Sequence, residues 1–257
     1  MSGLRPGGPR VVAVGGGHGQ AASLHAARTY AGELTGVVSV ADDGGSTGRL
    51  RAAMPRPAPG DLRKCLVAMA GTGSPLARAM EHRFVSGELD GHAFGNLLIA
   101  ALEESEGDLV TALDEIGRLI GAVGRVLPAT SATIELRATV DSGALVRGQV
   151  AVGARADLRS VMIEPADAPV CADAAAAIGA ADQVVLGPGS LYTSVLAATA
   201  VTGIRDALAR TRGRVVYVCN LRPQISETWG YGVDDHVAAL RRHGGGPDAV
   251  LYDAGAI

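Results

Sequence analysis

The chain has 257 residues, 47% hydrophobic and 19% charged, with a net charge of −3. That length gives one large domain or two small ones and a core that needs no disulfide or metal staple. The charge leaves no footprint for nucleic acid, the apolar content argues against disorder, and an aromatic share of 3% argues against base stacking as the mode of ligand binding.

Residues 1–10 are Gly/Pro-rich and lack the apolar core of a signal peptide. Arg10 to Val14 is a short apolar run that ends in glycines and leads into a helix-compatible stretch, Gln20 to Tyr30. Leu34 to Val40 predicts a second buried strand, again ending in a glycine-rich loop. Strand, glycine loop, helix, strand is the rhythm of a parallel α/β sheet. Asp61 can cap a helix over Leu62 to Ala70, and Asn96 another over Leu97 to Glu104. Thr133 to Val140 and Ala144 to Val152 flank Asp141-Ser142-Gly143, a β-hairpin signal. The rhythm resumes with a strand at Gln183 to Leu186, helices at Leu191 to Ala200 and Arg205 to Thr211, and a strand at Arg214 to Asn220. A helix ending at His243 and a short strand, Ala249 to Tyr252, close the chain. We expect a single α/β domain over 1–257, doubly wound and mainly parallel, with a small antiparallel β-hairpin extension near 130–155.

No apolar run approaches the ~18 residues of a membrane span. Cys65, Cys171 and Cys219 have no metal-ligand spacing and read as buried residues of a reducing compartment, so a cytoplasmic protein is expected. Lys64 is the single lysine among 23 basic residues, which a coding bias towards arginine explains.

In open α/β sheets ligands bind beyond the carboxyl ends of strands. Gly15-Gly16-Gly17-His18-Gly19 sits at such an end. It reads either as a phosphate contact at a helix N-terminus or as tight strand–helix packing. It is a poor dinucleotide fingerprint, because Gln20 stands where the last small residue belongs. Asp42 and Asp43 read either as ribose or Mg²⁺ ligands or as turn formers with Gly44, Gly45 and Ser46. Thr47, Arg49 and Arg51 follow, arginine on such a loop being able to fork onto phosphate. His92 and Asn96, set among glycines, read as a phosphate donor or acid with its neighbour, or as a turn and a cap. Gly187-Pro188-Gly189-Ser190-Leu191-Tyr192-Thr193-Ser194 is a second phosphate-loop candidate, and two such loops suit a diphosphate. Asn220, Gln224, Glu227 and Thr228 belong either to the same crevice or to an exposed loop. No nucleophile elbow, HExxH or P-loop occurs.

Together VVAVGGGHG, VSVADDGGSTGRLR, PAPGDLRKCLVAMA, GHAFGNLLIAAL, VLPAT, VLGPGSLYTSVL and YVCN resemble the YvcK family, the gluconeogenesis factors or UDP-N-acetylglucosamine-binding proteins of the CofD-like superfamily. The resemblance implies a Rossmann-like fold and a cytoplasmic bacterial protein that binds UDP-N-acetylglucosamine, linked to carbon metabolism, cell shape and peptidoglycan precursor supply. The CofD relatives are transferases that move a phospholactyl group from a guanosine diphosphate carrier to a deazaflavin alcohol with Mg²⁺. Carried over, Gly15 to Gly19 meet the nucleotide or its diphosphate, although the family commonly has threonine at His18. Asp42 and Asp43 match the DDGG aspartates, a metal or acid pair in a transferase. His92 and Asn96 match GHxFGN, and Gly187, Pro188, Gly189, Ser190, Tyr192 and Thr193 match GPGSLYTS. After YVCN the T-Q-P-G-E-T pattern is kept only in part, as Leu221 to Thr228, while Asp235-His236-Val237 matches. Relatives continue some tens of residues further, so part of the pocket is expected to be missing or supplied by a partner subunit.

Two functions follow. One is a nucleotide-sugar-binding regulator without turnover, needing no cofactor to bind UDP-N-acetylglucosamine or another nucleotide diphosphate. The alternative is a Mg²⁺-dependent phospholactyl transferase, for which the single Trp229 offers few surfaces to stack a deazaflavin. A nicotinamide oxidoreductase rests on fold analogy alone. A homodimer is expected from symmetry base rates.

Overall fold

Four of the strands that the apolar runs predict lie side by side in the middle of one sheet. The computed structural model describes residues 3–255. Its strands are β1 (Arg10–Gly15), β2 (Glu33–Val38), β3 (Arg125–Pro128), β4 (Glu135–Val140), β5 (Leu145–Arg147), β6 (Leu158–Glu164), β7 (Gln183–Leu186), β8 (Arg214–Val218) and β9 (Ala249–Leu251). Six of them form a parallel sheet in the order β3-β2-β1-β7-β8-β9. That is the Rossmann-like doubly wound order: the chain builds outward from β1 on one side, then returns to β7 and builds outward on the other. The strand order reverses between β1 and β7, and a crevice opens there.

The helices are α1 (Gly17–Ala27), α2 (Gly45–Ala53), α3 (Pro59–Met69), α4 (Pro75–Glu81), α5 (Phe94–Glu106), α6 (Leu109–Ile120), α7 (Gln149–Gly153), α8 (Ala172–Ala180), α9 (Ala197–Thr199), α10 (Thr202–Arg210) and α11 (Val233–Arg242). A π-helical segment, Leu191–Leu196, runs directly into α9. The central strands carry Val11, Val12, Val14, Val37, Val38 and Leu186, all buried. Helices cover both faces of a parallel sheet, which is why these strands read as continuous apolar runs rather than alternating ones.

β4, β5 and β6 form a separate antiparallel sheet in the order β5-β4-β6. The predicted hairpin is present around Asp141 to Gly143, but its second arm stops at Arg147. Residues from Gln149 onward form the short helix α7, and β6 supplies a third strand that the sequence reading lacks. Two predicted caps also differ. Asp61 lies inside the first turn of α3, which begins two residues earlier at Pro59 with proline at a position that needs no N–H donor. Ala93, not Asn96, caps α5. The loop after Gly44 is a helix, so Arg49 and Arg51 sit on α2. Among the described residues no helix is long and apolar enough to cross a membrane. All three cysteines are buried and free.

Candidate functional site

The glycine loops ending β1 and β7 touch across the crevice. A Cβ on Gly19 would come within 2.1 Å of the Pro188 carbonyl oxygen, so only glycine lets the first turn of α1 rest against the second loop. Asn220, just beyond β8, holds that loop reciprocally. It accepts from the Gly189 N–H and donates to the Gly189 carbonyl, both at 2.8 Å. Gln224 then donates to Ser190 Oγ at 2.8 Å. The polar groove between the loops has a volume of about 370 Å³, and Gly16, Gly17, His18, Gly19, Gly189 and Ser190 line it.

Its remaining wall comes from Asp42 after β2, Asp61 and Lys64 on α3, Gln149 on α7, Ser194 in the π-helical segment and Gln224 beyond β8. Lys64 Nζ lies 3.0 Å from Asp61 Oδ1. A Cβ on Gly16 would come within 2.6 Å of Asp61 Oδ2, so the β1 loop passes directly over that carboxylate. Burial pushes the Asp42 carboxyl above the usual carboxylate range. The Gly44 N–H, 3.0 Å from Oδ1, works against that shift, and the neighbouring Asp61 charge adds to it.

Asp43 points the other way, as successive side chains of an extended segment do. Its carboxylate accepts the N–H groups of Gln149 at 3.0 Å and Val150 at 2.9 Å, anchoring the start of α7. The adjacent aspartates therefore do not converge on one cation; the carboxylate that shares the groove with Asp42 is Asp61.

Ser46 is the hub of a second cluster. Its hydroxyl accepts from the Ala93 N–H and from Asn96 Nδ2, each at 3.2 Å, and lies 3.2 Å from His92 Nδ1. Asn96 Nδ2 also reaches Thr47 Oγ1 at 3.4 Å, so the segment holding His92 is laced to the one holding Asp42. Burial chiefly, then Arg49 and Arg83, push the His92 imidazole below its ordinary value, so it is neutral at pH 7. Arg49 is exposed on α2, and Arg51 instead donates to backbone carbonyls, including Asp42 O at 2.9 Å.

Two further expected residues lie inside the core. The Tyr192 hydroxyl meets Tyr231 at 2.9 Å and Leu158 O at 3.3 Å. Thr193 donates its N–H to Glu227 at 3.2 Å, and its hydroxyl bonds the same carboxylate. The sequence reading placed Ser194 in the second phosphate loop, but it did not place Asp61, Lys64 or Gln149 in the site. Only Lys64 had a signal of its own, as the sole lysine.

Residues 11–257 match the family described as 2-phospho-L-lactate transferase CofD. A gluconeogenesis factor from Halalkalibacterium halodurans is 39% identical over 237 residues, covering 91% of this chain and 74% of that protein. A Mycobacterium tuberculosis relative that carries the same designation provisionally is 45% identical over 249 residues, covering 92% and 72%. A longer Deinococcus radiodurans relative is 42% identical, and the match spans 53% of it. A solved structure from Bacillus halodurans, described as a member of the UPF0052 family, matches with a TM-score of 0.91 at 38% identity, covering 97% of this chain and 81% of that one.

Proposed function

The chain belongs to the CofD family, among its gluconeogenesis factors, and on that premise we propose that it is a nucleotide-sugar-binding regulatory protein whose ligand is UDP-N-acetylglucosamine. The reading places it in the cytoplasm, without turnover, linked to carbon metabolism, cell shape and peptidoglycan precursor supply. The contact between the Gly19 and Pro188 loops carries this reading. Two glycine loops meeting at the switch point offer backbone N–H groups and the N-terminus of α1 to one diphosphate. Ser190, Ser194 and Gln149 then face the sugar and its phosphate, and Asp42 faces the ribose hydroxyls. Lys64 offsets the charge of Asp61, so a diphosphate enters without a metal. A homodimer belongs to the same reading on symmetry grounds, and sedimentation of the free and liganded protein tests it.

The shared groove position of Asp42 and Asp61 favours a second reading, the Mg²⁺-dependent phospholactyl transferase with a guanosine diphosphate carrier. Two carboxylates fit an ion that keeps several waters and completes its shell with phosphate oxygens. Bound there, Mg²⁺ would stabilise charge on a leaving diphosphate. Calorimetric titration with UDP-N-acetylglucosamine, UDP and GDP, each with and without Mg²⁺, separates the readings. The regulator predicts about micromolar affinity for UDP-N-acetylglucosamine, unchanged by metal and without product. Preference for GDP with a Mg²⁺ requirement would replace it with the transferase.

A further inference from the structure

A second cavity of about 520 Å³, sharing no lining residue with the groove, lies between β6, α10 and the end of α11. Val161, Ile163 and Leu196 give it an apolar lining, while Arg205, Arg242 and Thr202 give it a polar rim; no carboxylate lines it. Among the described residues, neither arginine makes an ion pair.

Arg242 has an ordinary structural reason for its place, because a cation in the last turn of α11 complements the helix dipole. Arg205 has none. It sits in the opening turn of α10, where positive charge opposes the dipole, and its one side-chain bond is a long contact of 3.5 Å to Thr202 Oγ1. The chain nevertheless makes room for it. Gly244, at φ +82°, carries no side chain where a Cβ would come within 2.7 Å of Arg205 Cδ. His243, beside both arginines, is fixed as a neutral imidazole: Nδ1 donates to Ala239 O at 2.7 Å and Nε2 accepts the Val161 N–H at 3.0 Å. Burial chiefly lowers its basicity, and Arg242 and Arg205 both add to that effect with no carboxylate opposing them. No acidic side chain lines the cavity to offset the two guanidiniums, and Arg242 makes one side-chain bond, donating to the Tyr192 hydroxyl at 3.4 Å.

We propose that this cavity is a second anion site, which takes a small phosphate monoester carrying an apolar body. Arg205 and Arg242 fork onto the phosphate at the positive end of α10, and the apolar body lies on Val161, Ile163 and Leu196. Paired guanidiniums with a helix N-terminus match a group of charge near −2.

Titration of the full chain with phenyl phosphate, inorganic phosphate and phenol at low ionic strength tests this. Phenyl phosphate should saturate one site, with inorganic phosphate at least about tenfold weaker and phenol silent. Arg205→Gln should weaken phenyl phosphate by about tenfold or more, as loss of a charge-assisted bond does. Arg205 makes one long side-chain hydrogen bond and glutamine keeps most of its aliphatic stem, so near-UV circular dichroism should be unchanged in this variant. Lys64→Met, in the groove, should leave the affinity as it is. Absence of saturation, an unaffected Arg205→Gln protein, or loss of binding in Lys64→Met would each overturn the proposal.

Discussion

Asp42 is held half-buried between the β1 loop and α3, close to a second carboxylate. Its folded-state pKa lies above the unfolded value, so the native state is penalised whenever the group must ionise. Below the unfolded pKa of about 3.9 the carboxyl is protonated in both states and the penalty vanishes; it grows as pH rises from there to the folded pKa and is constant above it. Asp42→Asn, which keeps an acceptor for Gly44, should therefore raise Tm at pH 7, and the gain should shrink to nothing as melts are run down to about pH 3. A lower Tm at pH 7 would mean that the bonds to Gly44 and Thr47 outweigh burial. Glu227 is a different case. It too is held above the usual range by burial, yet it satisfies the Tyr192 and Thr193 N–H groups at the start of the π-helical segment. Glu227→Leu would strand those donors inside, at a cost of about 3 kcal/mol, so thermal melts should show a fall of roughly 10 °C; Glu227→Gln should recover part of it. Gln20, which spoils the dinucleotide fingerprint, has a similar task. Its amide donates to the carbonyls of Ala13 and Val37, each at 2.9 Å, and so ties β1 to β2 directly beneath the loop.

At the scale of elements, the small antiparallel sheet serves the groove, because it carries α7 to the groove's edge and Asp43 pins the first N–H groups of that helix. Asp43→Ala removes a charged cap, a loss of about 1 kcal/mol, and frees Gln149 to leave the wall. The affinity for UDP-N-acetylglucosamine should then fall about tenfold with only a few degrees lost in the melt, and Asp43→Asn should lie between. Unchanged affinity would make α7 scaffold alone. The same elements explain what could be read in advance. β1, β2, β7 and β8 are legible as apolar runs because both faces of the sheet are covered. β6 is not, because Leu158, Val161 and Ile163 face inward at uneven spacing, and a register shift between Thr139 and Val140 breaks its pairing with β4. The amphipathic α6 was legible in principle, with Leu109, Ala112, Leu113, Ile116 and Ile120 buried at helical spacing. The two glycine loops announce themselves locally. Asp61 and Gln149 do not, because separate segments contribute them and only the topology brings them together.

For the whole molecule, the order β3-β2-β1-β7-β8-β9 divides the groove between two halves of one sheet. One half contributes Gly16 to Gly19, Asp42 and Lys64; the other contributes Gly189, Ser190 and Gln224. A ligand that spans both loops binds the folded chain and not the unfolded one, so it stabilises the fold by mass action. At a hundredfold excess over Kd this amounts to about 2.7 kcal/mol, a rise in Tm of roughly 5–10 °C for a chain of this size. Gly19→Ala is the sharpest test of whether the two loops act as one cradle. Its methyl group meets the Pro188 carbonyl at 2.1 Å, backbone against backbone, so the loops must separate. The variant should melt lower than the parent and lose the ligand-induced rise, whereas Arg205→Gln, outside the groove's lining, should keep it. If Gly19→Ala retained the full rise, the diphosphate would have to bind without the contact between the loops, and the site would have to be sought elsewhere on the sheet edge.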